Sequence, residues 1–368
     1  MKIGLVTIYQ VPNYGSVLQA YATQFLLERL GAECHIINYK YPNEWHWQHG
    51  ARKPRGLRAF IRKFIPSRKA IVLQRFREKY YRFTLTFHNL DALKNANWDS
   101  YDAFVVGSDQ VWNARYVLGD SVFMLSFVPN NKPRYSIASS FALKSLPKQY
   151  REKYFKELVQ FTALSVREQN GVGIINDELN IKKEVNVILD PTLLLSKDDW
   201  MKAIPRSTFK KERPYILFYM WTYAFEPRPY IFDVLRFFSE KLDYEIIALE
   251  GYTSYKNCGL QMQNRSSSSI EEFIDIFANA DMVITSSFHG TAFALNFGIP
   301  LVSIVPDGEA DDRQTTLLYS MNCIQSAIKI GTNPADINPY YNVMDVQSRL
   351  ELQRNNDINW IKKSIYAK

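Results

Sequence analysis

The run TSSFHGT at residues 285–291 sets a histidine at the junction of an apolar segment and a segment of small residues. Residues 281–284 (DMVI) predict a buried strand, and residues 291–297 predict a helix that Gly298 ends. Open α/β sheets bind ligands at such junctions, and the unpaired N–H groups of a helix start favour an anion. Because an imidazole exchanges protons near neutral pH, His289 is a candidate general acid or base. An ordinary histidine in a surface turn is the alternative.

Two arginines are candidate anion ligands. Arg167 ends a predicted strand over 163–167, and a planar guanidinium can hold a carboxylate or phosphate through two parallel hydrogen bonds. The structural alternative for Arg167 is an ion pair with a neighbouring acid, such as Glu168 or Asp190. Arg313, in the run DDRQ, is either a second anion ligand or a paired surface cation.

Two loops that follow predicted strands carry side chains suited to a sugar. The loop after strand 101–107 holds four of them: Ser108, Asp109, Gln110 and Trp112. Polar side chains of these types bond hydroxyl groups, and an indole offers its face to the flat side of a sugar ring. Asp109 as the N-cap of a following helix is an equally good structural account. The second loop follows the first predicted strand and contains Asn13 and Tyr14.

Strand-like and helix-like segments alternate along the chain, which predicts an α/β protein with mostly parallel sheets. A chain of 368 residues is longer than a domain with a single hydrophobic core usually is, so two domains are expected. Two Rossmann-like domains facing a cleft form the simplest assembly. The charged stretch 197–213, which contains Pro205, indicates the domain boundary. The predicted domains are 1–205 and 206–345, followed by a C-terminal helix over 346–368.

The composition is that of an ordinary soluble globular protein, with 46% apolar and 22% charged residues. Its three cysteines are widely spaced and form no CxxC pair, which favours a reducing compartment and argues against structural zinc. No run of about 18 apolar residues occurs, so no transmembrane span is expected and the cytoplasm is the predicted location. Walker, GxGxxG, HExxH and GxSxG motifs do not occur, which weakens ATPase, dehydrogenase, metalloprotease and serine-hydrolase hypotheses.

Positive charge is concentrated in residues 52–82, called the basic arm below. The basic arm holds twelve Lys or Arg residues against a single acid, Glu78, and interleaves them with apolar side chains. Such a segment can lie on an anionic membrane surface or hold a phosphorylated acceptor. A solvated helical arm packed on its own domain is equally open. No nucleic-acid-binding module accompanies the charge, so nucleic acid is not expected as a partner.

Six segments between about residues 13 and 305 resemble, in this order, the polysaccharide pyruvyl transferase family: NYGSVLQAYATQFLLERLG, YDAFVVGSDQVWN, YSIASSF, LSVREQNG, VILDPTLLL and DMVITSSFHGTAFALNFGIPLV. The resemblance implies a GT-B-like fold and transfer of pyruvate from phosphoenolpyruvate to two hydroxyls of one sugar. The products would be a cyclic ketal and phosphate. The acceptor would belong to a bacterial capsule or exopolysaccharide, or to its lipid-linked oligosaccharide precursor.

The resemblance also implies which residues form the site. The family's phosphoenolpyruvate-binding histidine and arginine fall on His289 and Arg167. Further donor contacts are expected in the second domain from Ser287, Gly290, Thr291 and Arg313. The acceptor side is expected in the first domain, at Asn13, Tyr14, Ser108, Asp109, Gln110 and Trp112. A cation is typical just before the histidine, and Phe288 takes that place here, so one cation fewer faces the donor. Phosphoenolpyruvate is a substrate, and neither a cofactor nor a metal is expected.

Two other functional classes stay open. One is a GT-B-type glycosyltransferase that uses a nucleotide-sugar, because an anion site at a helix start would serve a pyrophosphate equally well. The other is a non-catalytic protein of a polysaccharide locus that kept the fold.

Overall fold

The computed structural model describes residues 1–41, 67–222, 225–249, 258–306 and 312–366. The chain divides into two compact units. Unit 1 contains the described residues of 1–66, 77–194 and 353–368, and unit 2 contains those of 67–76 and 195–352. The break after residue 194 therefore lies before the predicted boundary at 205. Much of the basic arm, residues 52–66, falls outside the described residues.

Unit 1 is built on a parallel sheet of five strands. They are β1 (Lys2–Val6), β2 (Glu33–Tyr39), β3 (Phe83–Phe87), β4 (Ala103–Gly107) and β5 (Arg134–Ile137). Their order across the sheet is β3-β2-β1-β4-β5. The interior strand β4 is buried along its whole length, which explains why its sequence AFVVG is a continuous run of apolar residues and glycine rather than an alternating one. A separate parallel pair, β6 (Leu164–Val166) and β7 (Val185–Val187), follows.

Helices connect these strands. Those between residues 14 and 194 are α1 (Tyr14–Arg29), α2 (Arg68–Tyr80), α3 (Leu90–Lys94), α4 (Ala114–Val117), α5 (Lys148–Leu158), α6 (Gln169–Gly173) and α7 (Pro191–Leu194). Helix α1 begins where the Asn13 side chain accepts a hydrogen bond from the Ser16 N–H at 3.2 Å. It ends just before Gly31, whose φ of 97° is the left-handed conformation that glycine adopts at little cost.

Unit 2 repeats the architecture with six strands. They are β8 (Tyr215–Tyr219), β9 (Glu245–Ala248), β10 (Gln263–Asn264), β11 (Met282–Thr285), β12 (Leu301–Val305) and β13 (Ala327–Lys329). All pairings are parallel, and the order is β10-β9-β8-β11-β12-β13. The order reverses direction between β8 and β11, as it does between β1 and β4 in unit 1. Both units therefore have a Rossmann-like topology with one switch point each.

Five helices of unit 2 lie within the described residues of 195–342. They are α8 (Lys197–Ala203), α9 (Tyr230–Leu242), α10 (Ile270–Ala278), α11 (Phe288–Phe297) and α12 (Arg313–Ser320). Helix α10 has Ser269 as its N-cap, because Ser269 Oγ accepts a hydrogen bond from the Glu272 N–H at 3.1 Å. Its apolar residues pack on the sheet, and its acidic first turn complements the helix dipole.

The final helix returns the chain to unit 1. Helix α13 (Val343–Ile361) starts in unit 2, and its residues from 353 onward belong to unit 1. There the Asp357 carboxylate accepts a hydrogen bond from the Leu189 N–H at 2.8 Å, and Tyr366 donates to the Leu27 carbonyl at 2.9 Å. The C-terminal segment is thus an integral part of unit 1.

Residues 77–82, the last part of the basic arm, pack on unit 1. Arg77 donates to the Tyr9 carbonyl at 2.9 Å, and the Tyr81 hydroxyl donates to the Val17 carbonyl at 2.6 Å. Arg82 lies 3.3 Å from the Glu28 carboxylate. These contacts agree with a packed structural arm for this end of the segment.

The predicted fold class, α/β with parallel sheets in two Rossmann-like halves, is confirmed. In the part of the chain that the structure describes, no helix is both long enough and apolar enough to cross a membrane.

Candidate functional site

At the switch point of unit 2, hydrogen bonds join the ends of the two central strands, β8 and β11. Thr285, the last residue of β11, donates through its hydroxyl to the carbonyl of Tyr219, the last residue of β8. The next residue, Ser286, bonds both the N–H and the carbonyl of Trp221, each at 2.9 Å. The segment that leads from β11 to the histidine is therefore held against the end of the neighbouring strand.

His289 lies in the first turn of helix α11, directly after β11. The helix begins at Phe288, with Ser287 as its N-cap, and not at Thr291 as the sequence pattern predicts. The early start follows from the capping, because Ser287 Oγ accepts from the Gly290 N–H at 3.4 Å and the Ser287 carbonyl accepts from the Thr291 N–H at 3.0 Å. His289 itself is 7% exposed, so the surface-turn alternative is wrong.

The same capping engages the polar groups that are expected to contact an anion at this turn. The N–H groups of Gly290 and Thr291 both bond Ser287, and Ser287 uses its hydroxyl as a helix cap. The Thr291 hydroxyl is fully buried and lies 2.8 Å from Ser303 Oγ. These three predicted donor ligands therefore build the turn, and their own polar groups are engaged within it.

Gly290 is required by close packing. A Cβ at this position would overlap Thr285 Oγ1 and would stand 2.9 Å from the Tyr219 ring. The glycine lets the start of α11 approach the ends of β8 and β11 closely, and this approach fixes the position of the neighbouring His289 at the sheet edge.

A buried amide ties the starts of two helices together. Gln314, in the first turn of α12, donates to Ser303 Oγ at 2.7 Å and to the Ile304 carbonyl at 3.3 Å. Ser303 is the β12 residue that contacts the Thr291 hydroxyl of α11. Helices α11 and α12 are thereby held in register at the carboxyl ends of adjacent strands β11 and β12.

Arg313 is buried rather than on the surface, with 8% of its area exposed. Its guanidinium carbon lies 5.9 Å from the centre of the Phe288 ring. The Phe288 ring in turn meets the His289 ring edge to face, with centroids 5.3 Å apart and planes at 80°. The structure therefore brings Arg313, Phe288 and His289 close together, and the predicted alternative of a surface position for Arg313 is wrong.

The switch point of unit 1 holds a second polar network, at the ends of β1 and β4. The Gln19 amide of α1 donates to the Ile8 carbonyl at 2.8 Å and accepts from the Ser108 N–H at 3.2 Å. Ser16 Oγ donates to the Asp109 carboxylate at 2.7 Å. Asp109 has φ of 68°, a left-handed conformation in which its carboxylate also accepts the Gln110 N–H at 2.9 Å.

Arg167 lies at the end of β6 among three carboxylates. Its NH1 atom is 2.7 Å from Asp190, its NH2 atom is 3.7 Å from Asp109, and its Nε is 4.0 Å from Glu168. The side chains of Arg167, Asp190 and Glu168 are all fully buried. The structural alternative, an ion pair with Asp190, is therefore present in the molecule.

The other two acids of this cluster also organise backbone. Asp190 accepts from Ser108 Oγ at 2.8 Å and from the Thr192 N–H at 3.0 Å. Glu168 accepts from the N–H groups of Phe141 and Ala142 at 2.8 and 3.1 Å. The cluster thus connects the ends of β4, β5 and β6.

His289 belongs to unit 2 and Arg167 to unit 1, and their joint action on one donor stays a prediction.

Two of the expected sugar contacts are core residues. Trp112 is fully buried, donates through Nε1 to the Phe123 carbonyl at 2.9 Å, and packs against the ring of Phe141. Tyr14 is likewise fully buried. The prediction that the Trp112 indole presents its face to a sugar is wrong, because the ring is enclosed within unit 1, and the predicted acceptor contact Tyr14 is enclosed there as well.

The remaining acceptor candidates stay at the sheet edge. Asn13 caps α1, and Ser108 is buried and bonded to Asp190. Asp109 is 7% exposed, and Gln110 is partly exposed with its amide oxygen accepting from Asn113 at 2.7 Å. Asn113, not Asp109, is the N-cap of α4, so the N-cap account of Asp109 is also wrong.

Several residues that build these sites are absent from the predicted site residues. Gln19, Ser286, Gln314 and the partner role of Asp109 toward Arg167 were not predicted. One available signal was in α1, where Gln19 and Gln24 interrupt a largely apolar stretch of the helix, and both are buried. A buried amide needs partners, so this interruption indicates a polar contact on the helix face.

Comparison with known proteins identifies the family. The family model described as polysaccharide pyruvyl transferase matches residues 13–308, in agreement with the resemblance of the six segments. A comparison with curated proteins finds no match.

Solved structures with a similar fold are UDP-GlcNAc 2-epimerases. The enzyme from Neisseria meningitidis bound to UDP-GlcNAc has a TM-score of 0.54 and 10% identity, with 100% of both chains covered. A putative epimerase from Listeria monocytogenes has a TM-score of 0.57 and 11% identity, over 100% of this chain and 96% of that one. The epimerase from Methanocaldococcus jannaschii in complex with UDP-GlcNAc and UDP has a TM-score of 0.52 and 14% identity, over 100% of both. At these identities the likeness is one of fold, and the fold is GT-B-like.

Proposed function

The chain belongs to the polysaccharide pyruvyl transferase family, and on that premise we propose that it transfers pyruvate from phosphoenolpyruvate to two hydroxyls of one sugar. The products are a cyclic ketal and inorganic phosphate. The acceptor is a sugar of a bacterial polysaccharide or of its lipid-linked precursor. This proposal places the protein among the enzymes of polysaccharide assembly.

The observation that carries the proposal is the position of His289. It lies in the first turn of α11, at the carboxyl edge of the sheet and at the switch point of unit 2. Parallel α/β sheets bind ligands at this place. Close packing at Gly290 and the hydrogen bond from Gln314 to Ser303, which ties α12 to β12 beside α11, hold the imidazole at this place.

The chemistry needs a group that moves protons. In the first step one sugar hydroxyl adds across the double bond of phosphoenolpyruvate, so that its oxygen bonds C2 and a proton goes to C3. In the second step the other hydroxyl displaces phosphate from C2, and its proton leaves with the phosphate. We assign His289 to these proton transfers, a role that contributes about 10²- to 10⁴-fold in rate.

The acceptor is proposed to bind at the switch point of unit 1. Asp109 and Gln110 are its candidate contacts, because they lie at the strand end and retain some exposure. The buried cluster around Arg167 would then act indirectly, since Arg167 lies 3.7 Å from Asp109 and its partner Asp190 bonds Ser108.

The test is a calorimetric titration with phosphoenolpyruvate, with UDP- and GDP-sugars as comparison ligands. Saturable binding of phosphoenolpyruvate is expected. Phosphate release with a panel of glycan precursors then measures turnover, which His289→Gln is expected to lower by 10²-fold or more. His88→Gln, at an exposed histidine of unit 1, is the matched control and should leave turnover unchanged.

Two results would contradict this function. Binding of a nucleotide-sugar without phosphoenolpyruvate would assign the protein to the glycosyltransferases. Turnover of His289→Gln within a few-fold of the wild type would remove the histidine from the mechanism.

We also propose that the basic arm brings the enzyme to the inner face of the cytoplasmic membrane, where a lipid-linked acceptor would lie. The local charge of +11 between residues 52 and 82 supports this proposal. Sedimentation with anionic liposomes at low and high salt tests it, because electrostatic binding falls as salt screens the charges. Equal sedimentation with neutral and anionic liposomes would contradict it.

A further inference from the structure

The first turns of helix α1 hold the loop that follows β4 through two side chains. Ser16 and Gln19 are three positions apart in α1, so they lie on one face of the helix. Ser16 Oγ donates to the Asp109 carboxylate at 2.7 Å, and Gln19 Oε1 accepts from the Ser108 N–H at 3.2 Å. Two consecutive residues of the loop are therefore tied to one face of α1.

Gln19 restrains both polar backbone groups of Ser108. It bonds the Ser108 N–H directly, and its Nε2 donates to Thr7 Oγ1 at 2.9 Å. The Thr7 hydroxyl in turn donates to the Ser108 carbonyl at 3.2 Å. Nε2 also lies 2.8 Å from the Ile8 carbonyl and 3.0 Å from the Ser16 carbonyl. Because Gln19 is fully buried, its amide is held by these bonds and fixes the Ser108 backbone in turn.

Asp109 is the residue that this network orients. Its φ of 68° is a left-handed conformation, which neighbouring hydrogen bonds must stabilise in a residue other than glycine. Within the described residues its carboxylate accepts hydrogen bonds from Ser16 Oγ and from the Gln110 N–H at 2.9 Å. An ionised carboxylate has about four acceptor positions, and the Asp109 side chain is 10% exposed rather than fully enclosed. It therefore keeps the capacity to accept a hydrogen bond from a ligand hydroxyl.

We propose that Asp109 accepts a hydrogen bond from a hydroxyl of the acceptor sugar, and that Ser16 and Gln19 are positioning residues that set the direction of its carboxylate. The inference rests on the proposed function, in which the acceptor binds at this switch point. Direction matters because a hydrogen bond weakens steeply when its atoms are misaligned. The ligand class is a glycoside that presents hydroxyl donors, and its recognition depends on α1 as well as on the loop after β4.

The experiment measures dissociation constants by calorimetry on the full-length protein, for phosphoenolpyruvate and for the methyl glycosides of galactose, glucose and mannose. Gln19→Met keeps the length of the side chain and removes its hydrogen bonds. Ser16→Ala removes the hydroxyl, and Ser16→Thr restores it. We expect Gln19→Met and Ser16→Ala each to weaken glycoside binding about 2- to 10-fold, the range of one hydrogen bond. Ser16→Thr should stay within about twofold of the wild type, and phosphoenolpyruvate binding should not change in any of the three.

Asp109→Asn tests whether the positioning residues act through the carboxylate. It removes the charge and keeps the shape of the side chain, and it should weaken glycoside binding about 10-fold or more, because hydrogen bonds to charged groups are the stronger ones. In the Asp109→Asn background, Gln19→Met and Ser16→Ala should each change the constant by less than about twofold, since no carboxylate is left to orient.

Gln24 provides a matched control on the same helix. It is buried, donates to the Tyr80 carbonyl at 3.0 Å and accepts from the Arg82 N–H at 2.9 Å. Gln24→Met therefore removes a buried, hydrogen-bonded amide at the junction of α2 and β3. It should lower thermal stability and leave every dissociation constant unchanged. Thermal melts of all variants identify any that lose the fold, and the Ser16 variants still test the inference if Gln19→Met is one of them.

The outcomes separate the inference from the proposed function. Folded Gln19→Met and Ser16→Ala variants that bind glycosides like the wild type would overturn the positioning role, and so would effects that multiply with that of Asp109→Asn. A wild type that binds phosphoenolpyruvate but none of the glycosides would overturn the acceptor role of Asp109 and leave the proposed donor in place. Glycoside binding that depends on Asp109, without phosphoenolpyruvate binding, would overturn the proposed function and support the sugar site.

Discussion

Replacing Arg167 by Met would distinguish a structural arginine from a donor-binding one. In the structure Arg167 lies within 4.0 Å of three carboxylates, two of which are fully buried. Arg167→Met keeps a long apolar stem but leaves those acids without their cation. Breaking a buried ion pair by removing one partner typically costs about 3–5 kcal/mol, because the remaining charge stays buried and uncompensated. We expect a loss of that size, confined to unit 1.

Asp190→Asn should cost less than Arg167→Met. It removes the closest acid, at 2.7 Å, but the guanidinium still faces Asp109 and Glu168, so no uncompensated cation results. The double variant should lose less than the sum of the two single losses, because the two side chains share one interaction. Arg349→Met is the surface control: its pair with Asp345 is largely exposed, and such pairs contribute at most about 1 kcal/mol.

The assay is urea unfolding at pH 7, combined with hydrogen exchange resolved by peptide. Hydrogen exchange is needed because a chain of two units can unfold in more than one step. Peptides of β4, β5 and β6 should lose protection in Arg167→Met, and peptides of unit 2 should keep it. If Arg167→Met were as stable as Arg349→Met but no longer bound phosphoenolpyruvate, the buried ion-pair account would be refuted and a direct donor contact favoured.

Two further predictions concern stability. Gly290→Ala should destabilise unit 2 by about 1–3 kcal/mol, since the added Cβ overlaps Thr285 Oγ1 and crowds the Tyr219 ring; a melt like that of the wild type would contradict this packing. Burial raises the pKa of Asp357 to about 6, despite its bond from the Leu189 N–H. The folded state then binds more protons than the unfolded state between about pH 4 and 6, so this group lowers the unfolding free energy as pH rises through that window, by up to about 3 kcal/mol. In urea titrations, the unfolding free energy of Asp357→Asn minus that of the wild type should increase by about 3 kcal/mol from pH 4 to pH 7. A difference that does not change with pH would contradict the effect.

The sequence alone determined the local parts of the site. The strand at 281–284, the histidine and the glycine that ends α11 follow one another within a short stretch, so periodicity and end signals were enough to identify them. The N-cap Ser269 and the glycine after α1 were likewise predictable, because a cap satisfies N–H or carbonyl groups only a few residues away. The start of α11 was predicted too late, since a serine three residues before a glycine is a weak cap signal.

Only the tertiary structure decided which side chains face outward and which meet. Trp112 follows a strand end, as a sugar-binding indole would, but rings from distant segments such as Phe141 enclose it. Arg167 has an acid beside it in sequence, yet its closest partner is Asp190, and Asp109 approaches from another strand. Arg313 reaches Phe288 because β11 and β12 are neighbours and their helices start at one edge. Exposure and pairing depend on strand order and long-range packing, and these arise only when segments far apart in the chain come together.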